Sequence, residues 1–173
     1  MLLRKETTES QRASASWSAA TQRTFLVVVD NSAEMRVALR YATRRAQNTG
    51  GRVALMIAIE QTEFEQWMFV GNLMREEARE GAEQSLQRHA AAVGAVSGER
   101  PSLFVREGDR IREVFKLVNE EPSISVLVLG VGADPNDPGP LVRELTGRQA
   151  GKLRVPVTLV PGGLSDAEID ALA

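Results

Sequence analysis

The chain contains no cysteine. A disulfide scaffold, a thiol nucleophile, an iron–sulfur cluster and a cysteine zinc site are therefore excluded together. Histidine is nearly as scarce, with a single one among 173 residues. A two-histidine metal site is thereby ruled out, and any Ser-His-Asp relay would depend on His89 alone. His89 lies amid Leu86-Gln87-Arg88 and Ala90-Ala91 and reads as a helix-surface residue without a partner. No apolar run reaches the ~18 residues that a membrane-spanning helix needs. The opening Met1-Leu2-Leu3-Arg4-Lys5-Glu6 lacks the apolar core of a secretion signal. Neither sign of charge dominates, with 21 basic residues against 23 acidic ones and a net charge of -2. Such a balance does not attract nucleic-acid phosphates or anionic membranes. These absences predict a cytoplasmic protein with no nucleic-acid or membrane partner, no metal and no catalytic machinery.

What the chain does have is enough apolar material for one core, at 43% hydrophobic residues. Residues 1–23 are Ser-, Thr- and Ala-rich without period and read as a flexible tail around a lone Trp17. Residues 24–161 read as one α/β domain, and residues 162–173 as a C-terminal helical extension. The domain opens with Phe25-Leu26-Val27-Val28-Val29, a continuous apolar run of the kind that marks a strand buried on both faces. Met35, Ala38, Leu39, Ala42 and Ala46 follow at helical spacing, with Asn31 and Glu34 spaced as a capping box and Gly50-Gly51 at the exit.

The unit then repeats. Val53–Ile59 is a second strand, followed by a long helix with Met74, Ala78, Ala82, Leu86 and Ala90 on one stripe. The connection between them holds Phe64, Trp67, Met68 and Phe69, too apolar for an idle loop. Leu103–Val105 is a third strand, and Gly108-Asp109 begins a helix with Ile111, Val114, Phe115 and Val118 inside. Ile124–Leu129 is a fourth strand, Leu141 to Lys152 a fourth helix behind Pro140, and Val155–Val160 a fifth strand. Ser165 and Glu168 repeat the capping-box spacing near the end. Strands alternating with helices make a parallel sheet covered by helices on both faces. Ligands of such sheets sit beyond the carboxyl ends of the strands.

The loops at those ends lack the known phosphate devices. Asp30-Asn31-Ser32 after strand one contains neither the Gly-x-Gly-x-x-Gly of a dinucleotide fold nor a Gly-Lys-Ser P-loop. It is not the Ser-Gly-Gly-x-Asp-Ser of an ATP pyrophosphatase, and strand five ends in Val160-Pro161 where a response regulator would place a lysine.

Taken together, Val28-Val29-Asp30-Asn31-Ser32, Val105-Arg106-Glu107-Gly108-Asp109, Val126-Leu127-Val128-Leu129-Gly130 and Pro156-Val157-Thr158-Leu159-Val160-Pro161 resemble the universal stress protein family over about residues 24–161. The resemblance implies an open five-stranded sheet of order 3-2-1-4-5, akin to the adenine-nucleotide hydrolases, and a non-enzymatic binding role in a stress response. It implies candidate nucleotide contacts at Asp30, Asn31, Ala58, Gly130, Gly132 and Gly139. Asp30 also reads as a turn residue, and the glycines as tight-turn residues. The ATP-binding members carry Gly-x-x-Gly, nine residues, then Gly-Ser or Gly-Thr. Here the second glycine position is Ala133 and the last pair is Arg143-Glu144. Prolines 135, 138 and 140 bring no N–H to that loop, and Asp134 and Asp137 oppose a triphosphate. No cofactor is expected, and ATP is disfavoured; a nucleotide-loaded switch is the rival reading. The resemblance also implies a homodimer, with Val155, Val157, Thr158, Leu159 and Val160 as candidate interface, beside possible protein partners.

Overall fold

A computed structural model describes residues 22–30, 32–60, 70–134, 136–147 and 149–173. The tail with Trp17, the segment holding Phe64, Trp67, Met68 and Phe69, and residues Asn31 and Pro135 lie outside the described residues. Strand β1 is Thr24–Val28, buried along its whole length. Because side chains alternate across a strand, Leu26 and Val28 join one apolar cluster while Phe25 and Val27 join the other. Burial on both faces is what an unbroken apolar run permits and an alternating one does not.

Helix α1, Ala33–Thr49, crosses to β2, Arg52–Ile59. Helix α2, Val70–Ser97, leads to β3, Ser102–Glu107, and helix α3, Arg110–Glu120, to β4, Ile124–Val131. Helix α4, Pro140–Thr146, and a single 3₁₀ turn, Ala150–Lys152, precede β5, Val157–Pro161. Helix α5, Asp166–Leu172, follows β5. The sheet is parallel throughout, in the order β3-β2-β1-β4-β5. Leu39, Ala42 and Ala46 of α1 and Leu86 and Val93 of α2 cover one face; Val114, Leu117 and Val118 of α3 and Leu141 and Leu145 of α4 cover the other.

Several local expectations shift. The cap of α1 is Ser32, whose hydroxyl accepts from Met35 N–H at 3.2 Å, so Glu34 is free of a capping-box role there. Met74 is 46% exposed, whereas Ala82 and Leu86 of the expected α2 stripe are buried, Ala90 packs against the core and Val93 extends the stripe. Helix α4 stops at Thr146, since Gly147 and the 3₁₀ turn take over from the single long helix expected to Lys152. Strand β5 begins two residues late because Arg154 turns back to donate to the carbonyls of Glu121 and Ile124, at 3.1 and 3.2 Å. The α3 cap at Asp109 and the Ser165–Glu168 capping box are as the spacing predicts.

Helix α5 lies against α1. Ile169 is 1% exposed, and the Asp170 carboxylate accepts from Arg40 at 2.9 and 2.7 Å and from Arg44 at 3.0 and 3.0 Å. Asp166 pairs with Arg40 at 3.0 Å, and Asn48 donates to the Ala173 carbonyl at 3.2 Å. The hydrogen bonds from Arg40, then those from Arg44, hold the Asp170 carboxyl below its ordinary value. A depressed folded pKa contributes stability that is present above the unfolded value of about 4 and fades as pH falls below it. The expected result is that amides of Ile169 to Ala173 lose hydrogen-exchange protection as the pH falls below about 4, before the sheet does. Equal loss in an Asp170→Asn variant at neutral and acid pH would agree; unchanged protection in that variant would not.

Candidate functional site

The strand order reverses between β1 and β4, and a cavity of about 130 Å3 opens at their carboxyl ends. Its walls are Val28, Asp30 and Ser32 after β1, Glu34 and Met35 of α1, Leu129 and Gly130 of β4, Gly139 and Pro140 at the start of α4, and Arg110 of α3. Of the residues singled out from sequence, Asp30, Gly130 and Gly139 meet here. Gly132 lies outside the cavity lining, and so does Ala58, which stands on β2 opposite Arg106 of β3. Asn31 is outside the described residues.

Each of the three has a local occupation. Asp30 Oδ1 accepts from Ser32 N–H at 2.9 Å, which shapes the turn that launches α1. At Gly130 a Cβ would drive into the Glu34 backbone carbonyl and come within 2.9 Å of Glu34 Cβ. A Cβ at Gly162 would meet Val131 O at 2.7 Å and Glu34 Cβ at 3.0 Å. Gly130 and Gly162 are thus the seat of α1's first turn, which drops between the ends of β4 and β5. Glu34 Oε1 in turn lies 3.5 Å from where a Cβ on Gly132 would be, so its carboxylate points into the bend of the β4–α4 loop.

Four amides of that loop are spent on the loop itself. Gly132 N–H donates to Pro138 O at 3.3 Å, Asn136 N–H to Asp134 Oδ1 at 2.8 Å, and Asp137 N–H to Asp134 O at 3.1 Å. Gly139 has a φ of 97° and donates its N–H to Asp137 Oδ1 at 3.2 Å. Pro138 and Pro140 have none to offer. A phosphate cradle needs such amides turned outward and unpaired. Within the cavity Asp30 and Glu34 face one guanidinium, Arg110, which lies 3.6 Å from Glu60.

The model of the universal stress protein family matches residues 22–161. The chain belongs to the universal stress protein family. Solved members share its fold at low identity. Universal stress protein UspA from Lactobacillus plantarum is 15% identical over 82% of this chain and 99% of its own, with a TM-score of 0.64. A family protein from Burkholderia pseudomallei is 17% identical over 83% and 98%, with a TM-score of 0.62. One from Arabidopsis thaliana, with AMP bound, is 12% identical over 80% and 91%, with a TM-score of 0.56. Among curated protein sequences no match is found.

In this universal stress protein, Arg143-Glu144 occupies the first turn of α4. Arg143 reaches back to Asp137 Oδ1 at 3.0 Å, tying the first turn of α4 to the loop. Both side chains are more than half exposed, so the pair adds shape more than stability. Sequence reasoning had marked Arg143 as a departure from the pattern but not as the loop's own fastener. It also missed Glu34 and Arg110. No spacing announces that a glutamate in the first turn of one helix fills a loop a hundred residues away.

Proposed function

We propose that this universal stress protein works by binding a partner or a small ligand, as a homodimer in the cytoplasm, without turnover and without strong ATP binding. The observation that carries this reading is the β4–α4 loop, in which the amides of Gly132, Asn136, Asp137 and Gly139 are paired internally and the Glu34 carboxylate is turned into the bend. The cavity beside it, about 130 Å3, is well below the ~300–1,000 Å3 usual for small-molecule sites. With Asp30 and Glu34 against Arg110 alone, it also opposes a polyphosphate charge.

The rival reading, a nucleotide-loaded switch, draws on the AMP-bound relative and on a cavity at the same switch point. Calorimetry with ATP and magnesium separates the two. Binding weaker than millimolar, worth less than about 4 kcal/mol, is the expected result. Micromolar binding needs roughly 8 kcal/mol and would establish the switch. Mass spectrometry of the denatured protein, as purified from cells, adds an independent check: no stoichiometric adenine nucleotide should appear.

A further inference from the structure

Helix α1 bears Arg36, Arg40 and Arg44 at intervals of four, which stacks three guanidinium groups along one stripe. Like charges at that spacing repel unless anions lie between them. Asp166 and Asp170 of α5 provide those anions for Arg40 and Arg44. Among the described residues, Arg36 has no ion pair. It stands instead at the mouth of a groove between α1 and α2, about 250 Å3 in volume, with Leu39, Ala92, Val93 and Val96 as its apolar lining. Val96 remains 38% exposed, an unusual state for a β-branched residue between two packed helices. His89 lines the same groove from α2.

We propose that this groove binds a small amphipathic carboxylate, an acyl or aryl acid, with its anion held by Arg36 and His89 and its apolar body laid over Ala92 and Val96. Charge complementarity selects that chemistry. The helix already captures carboxylates on two of the three arginines of this stripe, through bidentate bonds to Asp170, and the third shares a groove with the exposed Ala92 and Val96. A volume of about 250 Å3 suits a medium-length acyl chain better than a nucleotide. The groove lies between α1 and α2 and shares no lining residue with the strand-end cavity, so its occupancy is tested separately from the reading proposed for that site.

His89 also supplies the readout, because it is the chain's only histidine. Partial burial, then the charge of Arg88, holds its imidazole below the ordinary value. Arg36, Arg40 and Arg44 line the groove from α1, and among the described residues no carboxylate lines it, so an arriving carboxylate should raise it. The experiment is a proton NMR titration of the single imidazole with octanoate, acetate and octanol, on the full chain and on Arg36→Ala and Ala92→Phe variants. Octanoate should move the signal saturably and raise its pKa, while acetate leaves both in place. Arg36→Ala should weaken binding roughly tenfold, the effect of one charge-assisted contact, and Ala92→Phe should abolish it by filling the groove. Circular dichroism verifies that both variants stay folded. No saturable shift with millimolar octanoate overturns the proposal, as does an unaltered affinity in Arg36→Ala. So does a His89 signal that changes when residues 1–21 are deleted without any ligand, because the chain's own tail would then be the occupant.

Discussion

Replacing Gly130 by alanine is expected to destabilise the domain by about 3 kcal/mol or more, the upper end for forcing one methyl into a packed interior. The added Cβ would collide with the carbonyl and Cβ of Glu34, and a backbone carbonyl within a hydrogen-bonded helical turn cannot rotate out of the way. Relief requires lifting the first turn of α1 from between β4 and β5, which would pull Met35 and Ala38 out of the core. For a chain of this size the melting temperature should fall by roughly 10 °C. Gly163, where a Cβ would meet nothing within 4 Å, is the internal control, and its alanine variant should melt within a degree or two of wild type. Thermal denaturation of the pair checks the claim. Should Gly130→Ala melt with the control, the seat would be soft and the claim would fail.

The second large effect concerns association. Strand β5 is an edge strand, bonded on one side to β4 and, among the described residues, to no strand on the other. The chain's own C-terminal helix does not supply the missing cover, since its ion pairs and hydrogen bonds run to α1. Val157-Thr158-Leu159-Val160 carries no charge, and Leu159 is 43% exposed. Val155 and Val160 are buried within the fold, at 6% and 2% exposure, which leaves Val157, Thr158 and Leu159 as the residues able to meet a partner. Pro156 and Pro161 bracket the strand without N–H donors, so a partner strand has only the four residues between them to pair with. Uncharged edges of this kind are normally blunted or paired. We propose pairing of two β5 strands across a two-fold axis, a contact that closes on itself and does not propagate. The wild-type protein should be a dimer by light scattering at tens of micromolar. Leu159→Lys places two lysines in the contact, one from each copy, and should weaken it about a hundredfold. Thr158→Lys should do the same from the opposite face of the strand. A monomeric wild type defeats the proposal, and so does a dimer that tolerates both lysines.

The alternation of strand and helix was legible because it rests on local periods. Phe25 to Val29 reads as a doubly buried strand wherever it is found, and Gly50, Asp109 and Ser165 mark helix ends by chemistry confined to three or four residues. Errors gathered where two local signals competed. Asn31 and Ser32 both suit a cap, and only the chain's path after Asp30, fixed by its bond to Ser32 N–H, selects Ser32. Lys152 continues a helical pattern that Gly147 and the anchoring of Arg154 interrupt. Met74 has the spacing of a buried residue yet lies in the turns of α2 that extend past the sheet.

By itself, then, the sequence determined the class of fold, the family, the departure of Ala133 and Arg143-Glu144 from the ATP pattern, and the exclusion of cysteine and paired-histidine chemistry. Those are matters of composition, period and order along the chain, each readable within a short window. Tertiary structure alone decided that Gly130 and Gly162 seat a helix, that Glu34 fills the neighbouring loop, and that α5 compensates two arginines and leaves Arg36 beside an apolar groove. The physical reason is the same in every case. Close approach and charge compensation are set by which residues from distant segments share a few ångströms of space, and no local propensity encodes that.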